Sequence, residues 1–125
     1  MTESKMLVFS NAVAGQDDAF NEWYDTRHLA EVVQVPGVTS GQRFELVPAA
    51  LPGGNAEAPA HRYLAVYELS DDPDTVVRAF LERAGNGQIQ LDKALDVSTL
   101  AVSVWRARGK GHAAAECACG SRRAR

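Results

Sequence analysis

Phe20-Asn21-Glu22-Trp23-Tyr24-Asp25-Thr26-Arg27-His28-Leu29, followed by Val35-Pro36-Gly37-Val38 and Gln42-Arg43-Phe44, is the stretch on which the reading of this chain turns. Asp17 and Asp18 lie just ahead of it, where a helix N-terminus favours negative charge, and the residues up to about His28 are good helix formers. On a wheel of about 100° per residue, Phe20, Trp23, Tyr24 and Arg27 fall on one side, whereas Leu29, Val32 and Val33 fall nearly opposite. One straight helix cannot bury both groups against one surface, so a break or bend is expected near His28 to Ala30. His28 then stands beside free backbone groups and can point into a cleft rather than a packed seam.

The flanks supply the rest of the pattern. Lys5 to Asn11 is apolar and β-branched or aromatic at its centre, as suits a strand in the middle of a sheet. Pro36-Gly37 closes the helical region, and Val38 to Val47 alternates as a second strand. Pro48 to Ala60, rich in Pro and Gly, is a surface loop, and His61 to Leu69 is a third strand that forms a long-looped hairpin with the second. Ser70-Asp71-Asp72-Pro73 is a helix start, Val76, Val77, Phe80 and Leu81 recur at helical spacing, and Gly85-Asn86-Gly87 ends that helix. Gln88 to Asp96 is ambiguous between a short helix and an extended contact segment, and Leu100 to Arg106 is the last strand. The order β, α, β, β, α, β is the split βαβ arrangement of a ferredoxin-like α+β domain with a four-stranded antiparallel sheet. Two helices cover one sheet face, so the bare face predicts a second copy of the chain.

Composition narrows the partners. The 125 residues, 46% of them hydrophobic, suffice for one core, read as a domain over 1–107 with a disordered tail over 108–125. A formal net charge of -3 gives no basic field for nucleic acid or anionic lipid, so a small neutral ligand fits better. No apolar run approaches the roughly 20 residues that span a bilayer, and the chain reads as cytoplasmic. Cys117 and Cys119 are too close to close a relaxed disulfide, and with His112 the only nearby extra ligand they make no zinc site; no metal is expected. Gly-rich phosphate loops, a GxSxG elbow, an HExxH pair and a CxxC motif are all absent from the sequence.

Phe20, Trp23-Tyr24, His28, Val35-Pro36-Gly37 and Gln42-Arg43-Phe44 together resemble the EthD-like, stress-responsive branch of the dimeric α/β barrel superfamily. The likeness is carried by the first third of the chain and extends to the remainder by topology; where many relatives follow the His-Leu pair with Pro, this chain has Ala30. The resemblance implies a homodimer whose sheets pack face to face as a barrel, with a ligand cleft in each protomer. It also implies that the helix-one histidine, His28, is a cleft residue. The superfamily holds cofactor-independent polyketide cyclases, lactone isomerases, monooxygenases and haem enzymes, so the fold alone selects no reaction. The three histidines carry no distinctive haem signature, and no cofactor is expected.

Candidate chemistry centres on His28. With an ordinary pKa near 6.5 it could take a proton from an activated carbon or hydroxyl and return it; equally, it could close a helix end on a carbonyl. Tyr24, one turn earlier, is either an orienting donor or a core residue. Trp23 and Phe20 supply bulk to core or cleft wall. Arg43 could hold a substrate oxyanion or pair with Glu68 or Glu45, and Tyr63 or Tyr67 could donate to an oxyanion. Glu22 and Asp25 read as a solvated face, and Arg27 and Glu31 as a weak pair. The expectation is an acid–base cyclase, isomerase or dehydratase acting on a small aromatic or polyketide-like carbonyl compound. The alternatives are a non-catalytic binding or accessory homodimer and a cofactor-independent monooxygenase.

Overall fold

The phase conflict in the first helical stretch is resolved by an extra residue rather than a break. A computed structural model of the chain describes residues 3–49 and 59–115. In it α1 (Asp17–Trp23) runs without interruption through a π-helical turn (Tyr24–His28) into α2 (Leu29–Val32). The Leu29 N–H donates to the Tyr24 carbonyl, five residues back instead of four. One residue more per turn sets everything downstream back by about 100°, which brings Val32 round to the side of Phe20 and Tyr24. All three are buried. The expected break at His28 to Ala30 is therefore corrected: backbone hydrogen bonding continues, and the adjustment lies one turn earlier.

The remaining elements are β1 (Ser4–Ala12), β2 (Val38–Glu45), β3 (Tyr63–Leu69), α3 (Pro73–Gly85) and β4 (Leu95–Arg106). They form one antiparallel sheet in the order β2-β3-β1-β4, the ferredoxin-like α+β topology. The hairpin of β2 and β3 is present, with Arg43 opposite Ala65 and Gly41 opposite Tyr67. The last strand is longer than its apolar run suggests. Between Phe9 and Asn11 the register to β4 shifts, and Thr99 Oγ1 accepts from the Asn11 N–H (3.0 Å) while donating to the Asp96 carbonyl (2.6 Å). Thr99 thus bridges an irregularity, at the polar Ser98-Thr99 pair, that sequence alternation reads as the end of a strand.

The core lies between the helices and one sheet face, where Met6, Tyr63, Ala65, Tyr67 and Leu69 meet Phe20, Tyr24, Val32 and Val76. Asp72 caps α3 by accepting from the Thr75 N–H at 3.2 Å. Gly37, at φ +94°, lets the chain enter β2 directly beneath α3, since a Cβ there would stand 2.6 Å from Val76 Cγ2. On the other face Leu7, Phe9, Leu64 and Val66 are only half-buried, Phe44 is 44% exposed and Trp105 59% exposed. No helix among the described residues is long and apolar enough to cross a membrane. Residues 108–115 carry no helix or strand, while Cys117, Cys119 and the rest of the expected tail lie outside the described residues.

Candidate active site

Three of the seven residues singled out in the sequence come together, and two local features place them. The π turn sets Tyr24 and His28 on the sheet side of the helix. On β2, Gly41 has no side chain, and the Tyr67 ring occupies that space: a Cβ at 41 would stand 2.7 Å from Tyr67 Cδ1. Tyr67 therefore lies over the β2 backbone and its hydroxyl meets that of Tyr24 at 3.0 Å. Tyr24, His28 and Tyr67 line one cavity of about 250 Å³ between sheet and helices. Its walls are apolar, with Met6 and Val8 from β1, Phe80 and Leu81 from α3, and Leu100 and Val102 from β4. The imidazole and the two phenols are its polar groups.

His28 is 6% exposed, its ring stacked on Trp23 (centroids 4.5 Å apart, 22° between planes) and edge-on to Tyr24 at 4.8 Å. Trp23 and His28 are five residues apart, a spacing that an α-helix would splay and the π turn superposes. Burial lowers the His28 pKa from 6.5 to about 4; Glu31 pulls it up and Arg43 adds a smaller push downward. The ordinary value near 6.5 expected from the sequence is thus corrected by desolvation, and the ring is neutral and able to accept a proton at pH 7. Nδ1 lies 3.7 Å from Glu31 Oε1, too far for a hydrogen bond.

The phenols are pushed the other way. Burial raises the pKa of both Tyr24 and Tyr67, and for Tyr67 the neighbouring Tyr24 raises it further. Both hold their protons at neutral pH. A pair of phenols carries two O–H groups, and their mutual bond uses one. The second remains free for an oxygen in the cavity.

The other four residues stand around this group without lining the cavity. Arg43 lies 4.5 Å over the Tyr24 ring and donates to Asp25 Oδ1 (2.7 Å) and Asn21 Oδ1 (2.8 Å). Its partners are on the helix, whereas the strand partner considered for it, Glu68, binds Lys5 at 2.9 Å. Asp25, read as simply solvated, is the counter-charge of Arg43. Tyr63 donates to Asp17 Oδ2 at 2.6 Å, and burial with that bond raises its pKa. Phe20 is fully buried beneath Tyr24 and Tyr63, and Trp23 backs the imidazole. Of the polar strand positions, Ser10 is buried, Asn11 binds the Ala60 carbonyl and Ser103 accepts from Trp105 Nε1, all outside the cavity lining.

Sequence reasoning missed Glu31 as the neighbour of His28, although the three-residue spacing on a helix signals it. It also missed the walls from α3 and β4, which periodicity marks only as core. Among the described residues no group of three His, Cys, Asp or Glu side chains is placed to hold a metal ion.

No family model matches the sequence, and no curated protein matches it. Solved structures do match the fold. An ethyl tert-butyl ether D (EthD) family protein from Bacillus halodurans C-125 is 16% identical with a TM-score of 0.56, over 90% of this chain and 100% of that one. A candidate monooxygenase from Shewanella loihica PV-4 is 15% identical with a TM-score of 0.58, over 88% and 99%. HapK from Hahella chejuensis is 20% identical with a TM-score of 0.50, over 92% and 100%. The chain thus has the fold of EthD-like proteins, as its first third implies; at these identities the likeness carries the fold alone.

Proposed function

We propose that this protein is a cofactor-independent acid–base enzyme acting on a small, uncharged aromatic or polyketide-like carbonyl compound, as a cyclase, isomerase or dehydratase. The observation that carries the reading is the pairing, in an otherwise apolar cavity, of a neutral imidazole with an uncommitted phenol O–H. A charged ligand entering such a site would lose its hydration without compensation, so the substrate is uncharged. His28 takes a proton from carbon or hydroxyl, the electron pair moves to the carbonyl oxygen, and the phenol pair donates to that oxygen. The proton then returns from the imidazolium to carbon or to a departing hydroxyl. A positioned base contributes about 10²–10⁴-fold and an oxyanion donor about 10²–10³-fold. An imidazole whose pKa is about 4 is a weak base, which suits protons already acidified, such as those between two carbonyls.

A panel of uncharged 1,3-dicarbonyl and polycyclic phenolic compounds, assayed without added cofactor, tests the reading. For a compound that turns over, kcat/KM is expected to be flat through neutral pH and to fall only as pH drops towards about 4, where the free base protonates. Binding with thermal stabilisation but no turnover across the panel would favour the non-catalytic reading. Oxygen consumption in step with substrate loss would favour a cofactor-independent monooxygenase; the Shewanella neighbour is described as a candidate monooxygenase.

The half-buried apolar sheet face opposite the helices supports a homodimer built by stacking two sheets. Light scattering is expected to return twice the chain mass. Leu7 and Val66 are paired across β1 and β3 on that face, and a Val66→Lys chain is expected to run as a monomer. A wild-type monomer at micromolar concentration sinks the dimer.

A further inference from the structure

We infer that Glu31 is the positioning residue of His28: its Oε1 accepts a hydrogen bond from Nδ1–H, fixes the tautomer and leaves Nε2 bare for the cavity. The contact stands on geometry, while its use in turnover rests on the proposed function. His28 Nδ1 and Glu31 Oε1 are both shielded from solvent, both without a hydrogen-bond partner, and 3.7 Å from each other. Buried polar atoms nearly always find partners, so two unsatisfied groups of complementary kind facing each other form a contact one small side-chain rotation from closing. A closed Nδ1–H···Oε1 bond is about 2.7–2.9 Å long.

The carboxylate is already oriented for this. Arg27 Nε lies 3.5 Å from Glu31 Oε2, with the Arg27 side chain 71% exposed and that of Glu31 26% exposed. Arg27 therefore restrains the outer oxygen and leaves the inner one for the imidazole. The expected weak surface pair is thus the outer half of a chain running Arg27, Glu31, His28, cavity. On the opposite side the ring is closed by its stack on Trp23, which prevents it from flipping freely. The groups around the ring are Glu31 from α2, Tyr24 from the π turn, Trp23 from α1, Arg43 from β2 and Tyr67 from β3. Glu31 is the only one of them that can accept from Nδ1 while stabilising an imidazolium; Arg43 repels it.

In a reaction cycle the proton leaves the substrate for Nε2, and its electron pair moves onto the carbonyl oxygen when the proton comes from carbon or stays on oxygen when it comes from a hydroxyl. The Nδ1 proton remains on the ring, and the positive charge so formed faces the Glu31 carboxylate until Nε2 returns its proton. Glu31 exchanges no proton and touches no substrate.

Nitrogen-15 long-range correlation spectra of the full chain at pH 7 test the assignment without any substrate. The expected wild-type pattern is a protonated Nδ1 and a bare Nε2. Glu31→Leu, which keeps bulk and helix propensity but removes the acceptor, is expected to move the proton to Nε2 or to a mixture. Glu31→Gln, with an amide oxygen in the same place, is expected to restore the Nδ1–H form. A wild-type proton on Nε2, or a Glu31→Leu spectrum identical to wild type, overturns the proposal. If Glu31 sets the tautomer yet a His28 substitution leaves turnover intact, the acid–base reading falls and the contact stands. If His28 is essential but Glu31→Leu changes nothing, the reverse holds.

Discussion

Replacing His28 with Phe is expected to lower turnover by on the order of 10²–10⁴-fold while leaving the fold intact. Phe keeps a flat ring for the stack on Trp23 and the edge contact with Tyr24. It removes the buried Nδ1 but leaves the buried Glu31 Oε1 facing an apolar ring, so the two effects offset and stability at pH 7 should stay within about 1 kcal/mol of wild type. The acid limb separates the variants further. The folded-state pKa of about 4 lies below the ordinary 6.5, so as pH falls through that window the unfolded chain takes up a proton that the folded chain refuses. Stability is fully present above about 6.5 and is lost down to about 4, by about 3 kcal/mol in all. The Phe chain lacks this slope. Thermal melts at pH 7 and pH 5 read it directly: the wild type should lose more melting temperature than the variant. Equal losses refute the buried neutral imidazole, and full turnover in the Phe variant refutes its role as base.

The sequence made some of this visible and hid the rest for identifiable reasons. The order of elements followed from period and punctuation, because Gly15, Pro36-Gly37, Pro48 and Asp72-Pro73 mark turns between the elements; Asp72 does cap α3 at the expected place. The phase conflict at residues 20–33 was also legible. Its resolution was not, since a break and an inserted π residue produce the same offset on a helical wheel. Tyr24 and His28 were found because four residues on one helix is a local distance. Tyr67 could be named but not placed, as alternation defines two strand faces without saying which meets the helices. Arg43 shows the same limit: its partners Asp25 and Asn21 lie across the layer on the helix, and Asp25 is a residue that pattern alone had turned to solvent. Burial is the least legible quantity of all, and it is burial that moves His28 from an ordinary imidazole to one neutral well into the acid range.

Two phenylalanines with similar sequence settings should respond very differently to truncation. Phe20 is wholly buried, with ring centroids 5.1 Å from Tyr63, 5.7 Å from Tyr24 and 6.2 Å from Trp23. Arg43 also lies over it at 5.4 Å. Phe20→Ala removes the residue that joins α1 to β3 and leaves a void whose walls are fixed by Arg43's bonds to Asp25 and Asn21. Because those walls cannot collapse, a loss of about 3–5 kcal/mol is expected, a large share of the stability of a domain this size. Its melting temperature should fall by roughly 10–20 °C. Phe80 also contributes an aromatic ring at helical spacing, but it borders a cavity of about 250 Å³ that already exists. Truncating it enlarges open space rather than creating a sealed void, so Phe80→Ala should cost only about 1–2 kcal/mol and should instead weaken or broaden ligand selection. Paired melts and ligand titrations on the two variants decide the matter. Equal stability losses would mean that α3 packs onto the sheet as tightly as α1 does and that the cavity closes in solution, which would remove the site on which the functional reading depends.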